Sequence, residues 1–237
     1  MTTLEVRHLS KTFRSLRAVD DLSFTVPPGE VTGFLGPNGS GKTTTLRMAL
    51  GLVRPSSGDA LFDGKRYAQL RSPRRVVGAM LDASGFHPGR SGRDHLLVLA
   101  VSAGLDRKRV DELLDQVDLT DAADRRVRGY SLGMKQRLGL AAALLGDPDI
   151  LILDEPANGL DPAGMAWLRA LLRRQASEGR TVIVSSHVLS EVEQTVDHVV
   201  IVNHGRLRFD GALAELDSGD GSLEAAFLRL TAVAVAA

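Results

Sequence analysis

Cysteine is absent from the 237 residues. That excludes a disulfide framework, a thiolate zinc site and a cysteine nucleophile together. An excess of charge of either sign is missing too: 29 basic and 29 acidic side chains cancel, and the isoelectric point lies near 7.0. No global field therefore marks the chain as a nucleic-acid binder, whose surface usually carries a basic face. Long apolar runs are lacking as well. The longest, residues 96–105, is interrupted by serine and glycine, whereas a membrane-spanning helix needs about 20 apolar residues. The opening stretch MTTLEVRHLSKTF has no apolar core of signal-peptide length. The expectation is a chain that does not cross a bilayer by itself and works in a reducing cytoplasm. Internal repeats, heptads and low-complexity tracts are also missing.

What is present reads as α/β. Hydrophobic residues make up 43% and charged residues 24%, the balance of an ordinary globular domain. The length suits one large domain, or one domain carrying an inserted subdomain. Runs rich in β-branched and apolar residues at 31–35, 150–153, 181–185 and 198–203 alternate with helical patterns, which predicts a mostly parallel sheet covered by helices. Residues 3–7, 23–26 and 60–62 are shorter and half-polar, and turn residues such as Pro27-Pro28-Gly29 and Asp63-Gly64 separate them. These predict an antiparallel layer. From about residue 86 to 129 no strand pattern occurs, and two amphipathic helices are expected at 92–102 and 108–117. A further helix over 132–145 is marked by Ser131 as N-cap and by Gly146 and Pro148 at its stop. A short apolar helix at 223–230 follows a loose segment.

The strongest chemical signal is Gly36-Pro37-Asn38-Gly39-Ser40-Gly41-Lys42-Thr43. It fits G-x-x-x-x-G-K-[ST], with a predicted strand before it and a predicted helix after it. A triphosphate is densely negative, and only a loop with little side-chain bulk lets successive backbone N–H groups point at it. The start of the following helix, through Thr44, adds its own N–H groups and dipole. Lys42 supplies a mobile point charge for the outer phosphates, and the Thr43 hydroxyl can ligate Mg²⁺. Asp154 and Glu155 end the apolar run at 150–153, which puts them at the carboxyl edge of a buried strand, where open α/β sheets bind ligands. Strand alternation is expected to turn the two side chains to opposite sides. Asp154 would then serve the metal, and Glu155 an attacking water.

With these motifs in place, nearly the whole chain resembles the nucleotide-binding subunit of an ABC transporter. The resemblance implies a P-loop NTPase (RecA-like) core, with an N-terminal antiparallel β layer and an inserted α-helical subdomain. On that pattern residues 1–82 and 138–216 form the ATP-binding core, 83–137 the helical signature subdomain and 217–237 a short tail. Tyr130-Ser131-Leu132-Gly133-Met134-Lys135-Gln136 stands where the family has its signature loop, commonly L-S-G-G-Q. The resemblance implies that Ser131 and Gly133 reach the γ-phosphate of ATP held by a second copy, so that two chains sandwich two nucleotides head to tail. Asn158-Gly159-Leu160-Asp161 resembles the D-loop at the dimer seam, and His187 the switch histidine that contacts the γ-phosphate. Phe13 stands where the family often has an aromatic ring stacked on adenine, although a phenylalanine there also suits a core.

Asp82 occupies the place of the Q-loop glutamine. It is read either as a further metal ligand or as a solvated loop acid. Together with Gly85-Phe86-His87-Pro88 and the form of the signature, it resembles the bacitracin and daunorubicin resistance branch of exporters. The expected function is ATP hydrolysis, with ATP and Mg²⁺, that powers export through an integral membrane permease at the cytoplasmic face of the membrane. An importer subunit is the alternative, and a chromosome-maintenance or repair ATPase is disfavoured by the lack of heptads. The clusters Arg74-Arg75, Arg125-Arg126-Arg128 and Arg173-Arg174 are scattered, and solvated faces rather than a nucleic-acid surface are expected of them.

Overall fold

A computed structural model describes residues 2–81, 85–186, 189–216 and 223–231. Three strands form the antiparallel layer: β1 (Leu4–Phe13), β2 (Leu16–Val26) and β4 (Ser57–Phe62), in the order β2-β1-β4. They are longer than the half-polar runs predict. Register shifts after Val6 and Leu9 keep β1 and β2 paired through stretches where the apolar alternation breaks.

The main sheet comprises β3 (Val31–Leu35), β5 (Val77–Met80), β6 (Ile150–Asp154), β7 (Thr181–Ser186), β8 (His198–Asn203) and β9 (Arg206–Ala212). Its order is β5-β6-β7-β3-β8-β9. All neighbouring pairs are parallel except β9, which runs antiparallel to β8. Continuous apolar runs arise because both faces are covered. Along β6, Ile150 and Ile152 enter a core with Phe24, Phe34 and Phe62 of the N-terminal half, while Leu151 and Leu153 enter a second core with Leu138 and Leu168. β5 and β9 fall outside the strands expected from sequence.

Helix α1 (Lys42–Ala49) packs against strands of both sheets. The short α2 (Pro73–Val76) leads into β5. Helices α3 (Gly92–Ser102), α4 (Arg109–Gln116) and α5 (Leu132–Leu144) pack on one another. Helix α6 (Pro162–Ser177) lies against β3 and β7, and α7 (Leu189–Glu193), α8 (Leu213–Leu216) and α9 (Leu223–Thr231) complete the described chain. No helix among the described residues is long and apolar enough to cross a membrane.

Helix α5 is the element that joins the helical part to the sheet, and small residues make its close approach possible. A Cβ at Gly78 of β5 would stand 2.1 Å from the Ala143 carbonyl oxygen. Ser131 caps α5 as expected, its hydroxyl accepting from the Met134 N–H at 3.2 Å. The glycine stop has another cause than a left-handed C-cap. Gly146 lies where a Cβ would come within 1.9 Å of the Arg74 carbonyl oxygen, and the left-handed conformation falls on Asp147, φ 52°.

Just before α5, the buried Tyr130 hydroxyl donates to the Ala122 carbonyl at 2.6 Å, and burial pushes the phenol's pKa up. Tyr130→Phe leaves that carbonyl without its donor. It is expected to cost about 1–2 kcal/mol and to lower the melting temperature by about 2–8 °C in a chain of this size. An unchanged melting curve would show that the bond contributes nothing net.

Candidate nucleotide-binding site

The phosphate loop runs from the carboxyl end of β3 into α1. Two glycines are required by the close approach of neighbouring backbone. Gly41 caps α1 with φ 104°, and a Cβ there would meet the Ala18 carbonyl oxygen at 2.5 Å. Gly36 lies so close to β8 that a Cβ would stand 2.3 Å from the Val202 carbonyl oxygen. Gly39 faces open space but has φ 80°, in the left-handed region that favours glycine, and Pro37, Asn38 and Gly39 are exposed. The first turn of α1 has no side-chain cap. Its N–H groups are therefore presented to the hollow of the loop, as an anion site requires. The Ser40 hydroxyl is buried without a hydrogen-bond partner among the described residues. Such a group is costly unless a ligand satisfies it. Thr44 is half-buried in the first turn, and the Thr45 hydroxyl is bonded to the Gly41 carbonyl at 2.9 Å.

Lys42 is buried, and its ammonium folds back onto the loop, donating to the carbonyls of Gly36 at 2.6 Å and Pro37 at 3.3 Å. Burial lowers its pKa, and the carboxylates of Glu155 and Asp154 oppose that shift. A cation so placed gains most from an anionic ligand laid across the loop.

The acid pair meets the loop as expected. The Thr43 hydroxyl donates to Asp154 Oδ2 at 2.7 Å, joining residues 111 positions apart. Ser185, at the end of β7, donates from its hydroxyl to Asp154 Oδ1 at 2.5 Å. Hydroxyl and carboxylate oxygens converging here form a hard donor set of the kind Mg²⁺ takes. The expected alternation of Asp154 and Glu155 requires correction: β6 ends at Asp154, and Glu155 adopts the left-handed conformation with φ 52°. The turn, not the pleat, sets its direction. Its N–H is held by the Ser185 carbonyl at 3.2 Å and the Ser185 hydroxyl at 2.9 Å. Ser185 therefore fixes both acids at once, a role that the sequence pattern of β7 does not reveal.

The signature segment lies apart from the phosphate loop. Ser131 is exposed and Gly133 half-buried at the start of α5, and no hydrogen bond joins either to the loop among the described residues. Instead the segment packs on the D-loop of its own chain. A Cβ at Gly133 would stand 3.3 Å from the Gly159 carbonyl, and Leu132, 56% exposed, lies over Gly159 itself. Asp161 caps α6, its carboxylate accepting from the Gly164 N–H at 2.8 Å. Gln136 of α5 is buried, and its amide donates to the carbonyls of Glu155 at 3.1 Å and Pro156 at 3.3 Å. Phe13 is not a core residue: it is 45% exposed at the end of β1, with the Lys11 ammonium 4.9 Å from its ring centre. Asp82 and His187 lie outside the described residues. The arginine clusters are exposed, as expected.

A family model described as ABC transporter matches residues 19–158, which run from β2 through the acid pair to Asn158. The chain belongs to the ABC transporter family. It is an ATP-binding subunit of a transporter and an ATPase. Among its ABC relatives, the ATP-binding protein YhcH of Bacillus subtilis is 46% identical over 212 residues, spanning 87% of this chain and 68% of that protein. The bacitracin transport ATP-binding protein BcrA of Bacillus licheniformis is 44% identical over 209 residues, spanning 87% and 68%. A solved ATP-binding subunit of an ABC transporter superposes with a TM-score of 0.87 at 28% identity, covering 96% of this chain and 98% of the other.

Proposed function

We propose that this ABC subunit powers export of a drug, antibiotic or other small molecule through a separate membrane-spanning permease, at the cytoplasmic face of the membrane. The observation that carries the hydrolytic half is the bond from Thr43 to Asp154, which sets the phosphate loop beside the acid pair. The export half is supported by similarity to BcrA, together with the acidic residue Asp82 at the Q-loop place. Two copies close head to tail on two ATP molecules. In each site the loop from Gly36 to Thr44 and the Lys42 ammonium hold the phosphates, Phe13 stacks on adenine, and Ser131 and Gly133 arrive from the facing copy. Asp161 lies along the seam.

Thr43 and Asp154, with Asp82, are the groups that would hold Mg²⁺, and the ion supplies neutralisation of phosphate charge when bound. Glu155 accepts a proton from the attacking water, and His187 contacts the γ-phosphate. The buried Asp154 and the half-buried Glu155, both held by Ser185, make such positioning effective, because phosphoryl transfer depends on placement and charge more than on covalent chemistry. Loss of the γ-phosphate removes the charge that bridges the two copies, and the sandwich opens.

The test is a pull-down of tagged Glu155→Gln, loaded with Mg-ATP, from detergent-solubilised membranes of the native host. A polytopic membrane protein that co-purifies only with ATP present is the expected result. Recovery of soluble partners or nucleic acid alone would leave the ATPase and remove the permease from the reading.

A further inference from the structure

Gln136 is 4% exposed, and its two ends are treated unequally. Nε2 donates to two consecutive carbonyls, those of Glu155 and Pro156, while Oε1 is buried with no hydrogen-bond partner among the described residues. Turning the amide over would set its oxygen against both carbonyls, so the donor end is fixed where it stands. The peptide it grips belongs to the acid pair. Glu155 has φ 52°, a conformation that is unfavourable for a non-glycine residue and persists only where its surroundings over-determine it. Ser185 holds the N–H side of Glu155, and Gln136 holds the carbonyl side.

Two further contacts tie the same helix to the same segment. The Arg137 guanidinium lies 4.6 Å from the ring centre of Trp167 on α6, and Leu132 covers Gly159. Three neighbouring positions of α5 thus meet the chain that follows β6.

We propose that Gln136 is a positioning residue for hydrolysis: from the signature helix it fixes the main chain of Glu155 and so aims the carboxylate. The inference rests on the reading of Glu155 as the hydrolytic carboxylate. Helix α5, whose N-cap is Ser131 and whose first turn carries Gly133, and the Glu155 peptide then move together. A displacement of the signature turn is transmitted to the acid of its own subunit through one side chain.

The experiment compares full-length wild type with Gln136→Met, which keeps the volume and removes the donor. We expect kcat for ATP to fall about tenfold, the effect of one or two lost hydrogen bonds on a transition-state geometry, while the Kd for ATP stays within about twofold. If methionine lowers the melting temperature, Gln136→Glu is compared in the same way at a temperature where both proteins are folded, since its carboxylate faces the two carbonyls with no donor. Wild-type kcat in a folded variant overturns the proposal, and so does a loss of ATP affinity equal to the loss of kcat. If Glu155→Gln itself keeps full turnover, the underlying reading of Glu155 fails instead, so the two failures are separable.

Discussion

Lys42→Ala is expected to abolish measurable ATP hydrolysis and to weaken ATP binding by about two orders of magnitude or more. Charge-assisted hydrogen bonds contribute about 1.5–3 kcal/mol each, and about 1.4 kcal/mol is a factor of ten in affinity. On the proposed reading the lysine serves the outer phosphates, so at least one such bond and the long-range charge would be lost together. Without nucleotide the balance differs. The ammonium is desolvated in the loop and, among the described residues, is bonded to the Gly36 and Pro37 carbonyls. Alanine removes those bonds and the cost of burying a charge at once, so the melting temperature of the nucleotide-free protein changes little. ATP at a hundredfold excess over Kd stabilises wild type by about 2.7 kcal/mol, which raises the melting temperature by about 5–10 °C. In the variant that increment disappears. Melting with and without ATP, alongside phosphate release, checks both parts, and retained turnover would sink the assignment of the phosphate loop.

Glu155→Gln separates binding from chemistry. Glutamine has the shape of glutamate and tolerates the same backbone, which Ser185 and Gln136 hold from both sides. On the proposed reading only the proton acceptor is lost. General-base catalysis of this kind contributes about 10²–10⁴ in rate, so kcat falls by that order while ATP affinity is kept. Bound ATP then persists, and the closed two-copy form accumulates. Single-turnover phosphate release measures the first effect, and light scattering of the ATP-loaded protein the second. A variant that stays monomeric with ATP bound at high concentration counts against the sandwich, and one that hydrolyses at the wild-type rate counts against Glu155 as base.

The parts of this protein that were legible in the sequence are those whose cause is local. A loop that must bring its backbone to phosphates needs glycine at fixed places, and Gly36 and Gly41 occupy places where a Cβ would strike the neighbouring backbone. Strands buried on both faces read as continuous apolar runs, so β3, β6, β7 and β8 were visible. Serine before a helix reads as a cap, as Ser131 proves to be. β5 and β9 were not visible. The first has four residues, and the second is an edge strand with alternating exposure, Arg-Leu-Arg-Phe-Asp, which equally suits a loop.

At the site, the glycine loop and the two acids by themselves determined what chemistry the chain can support. Charge, hydroxyl and backbone N–H groups of the right kind stand at spacings that only a strand, a turn and a helix can bring to one phosphate. Tertiary structure alone decided how those acids are aimed. The strand stops one residue earlier than alternation assumes, Glu155 turns left-handed, and Ser185 from β7 and Gln136 from α5 hold it there. Those bonds join residues 30 and 19 positions apart in sequence. Hydrogen bonds between distant side chains and main chain leave no periodic trace in a sequence, because any serine on a strand or glutamine on a helix looks the same until packing gives it a partner.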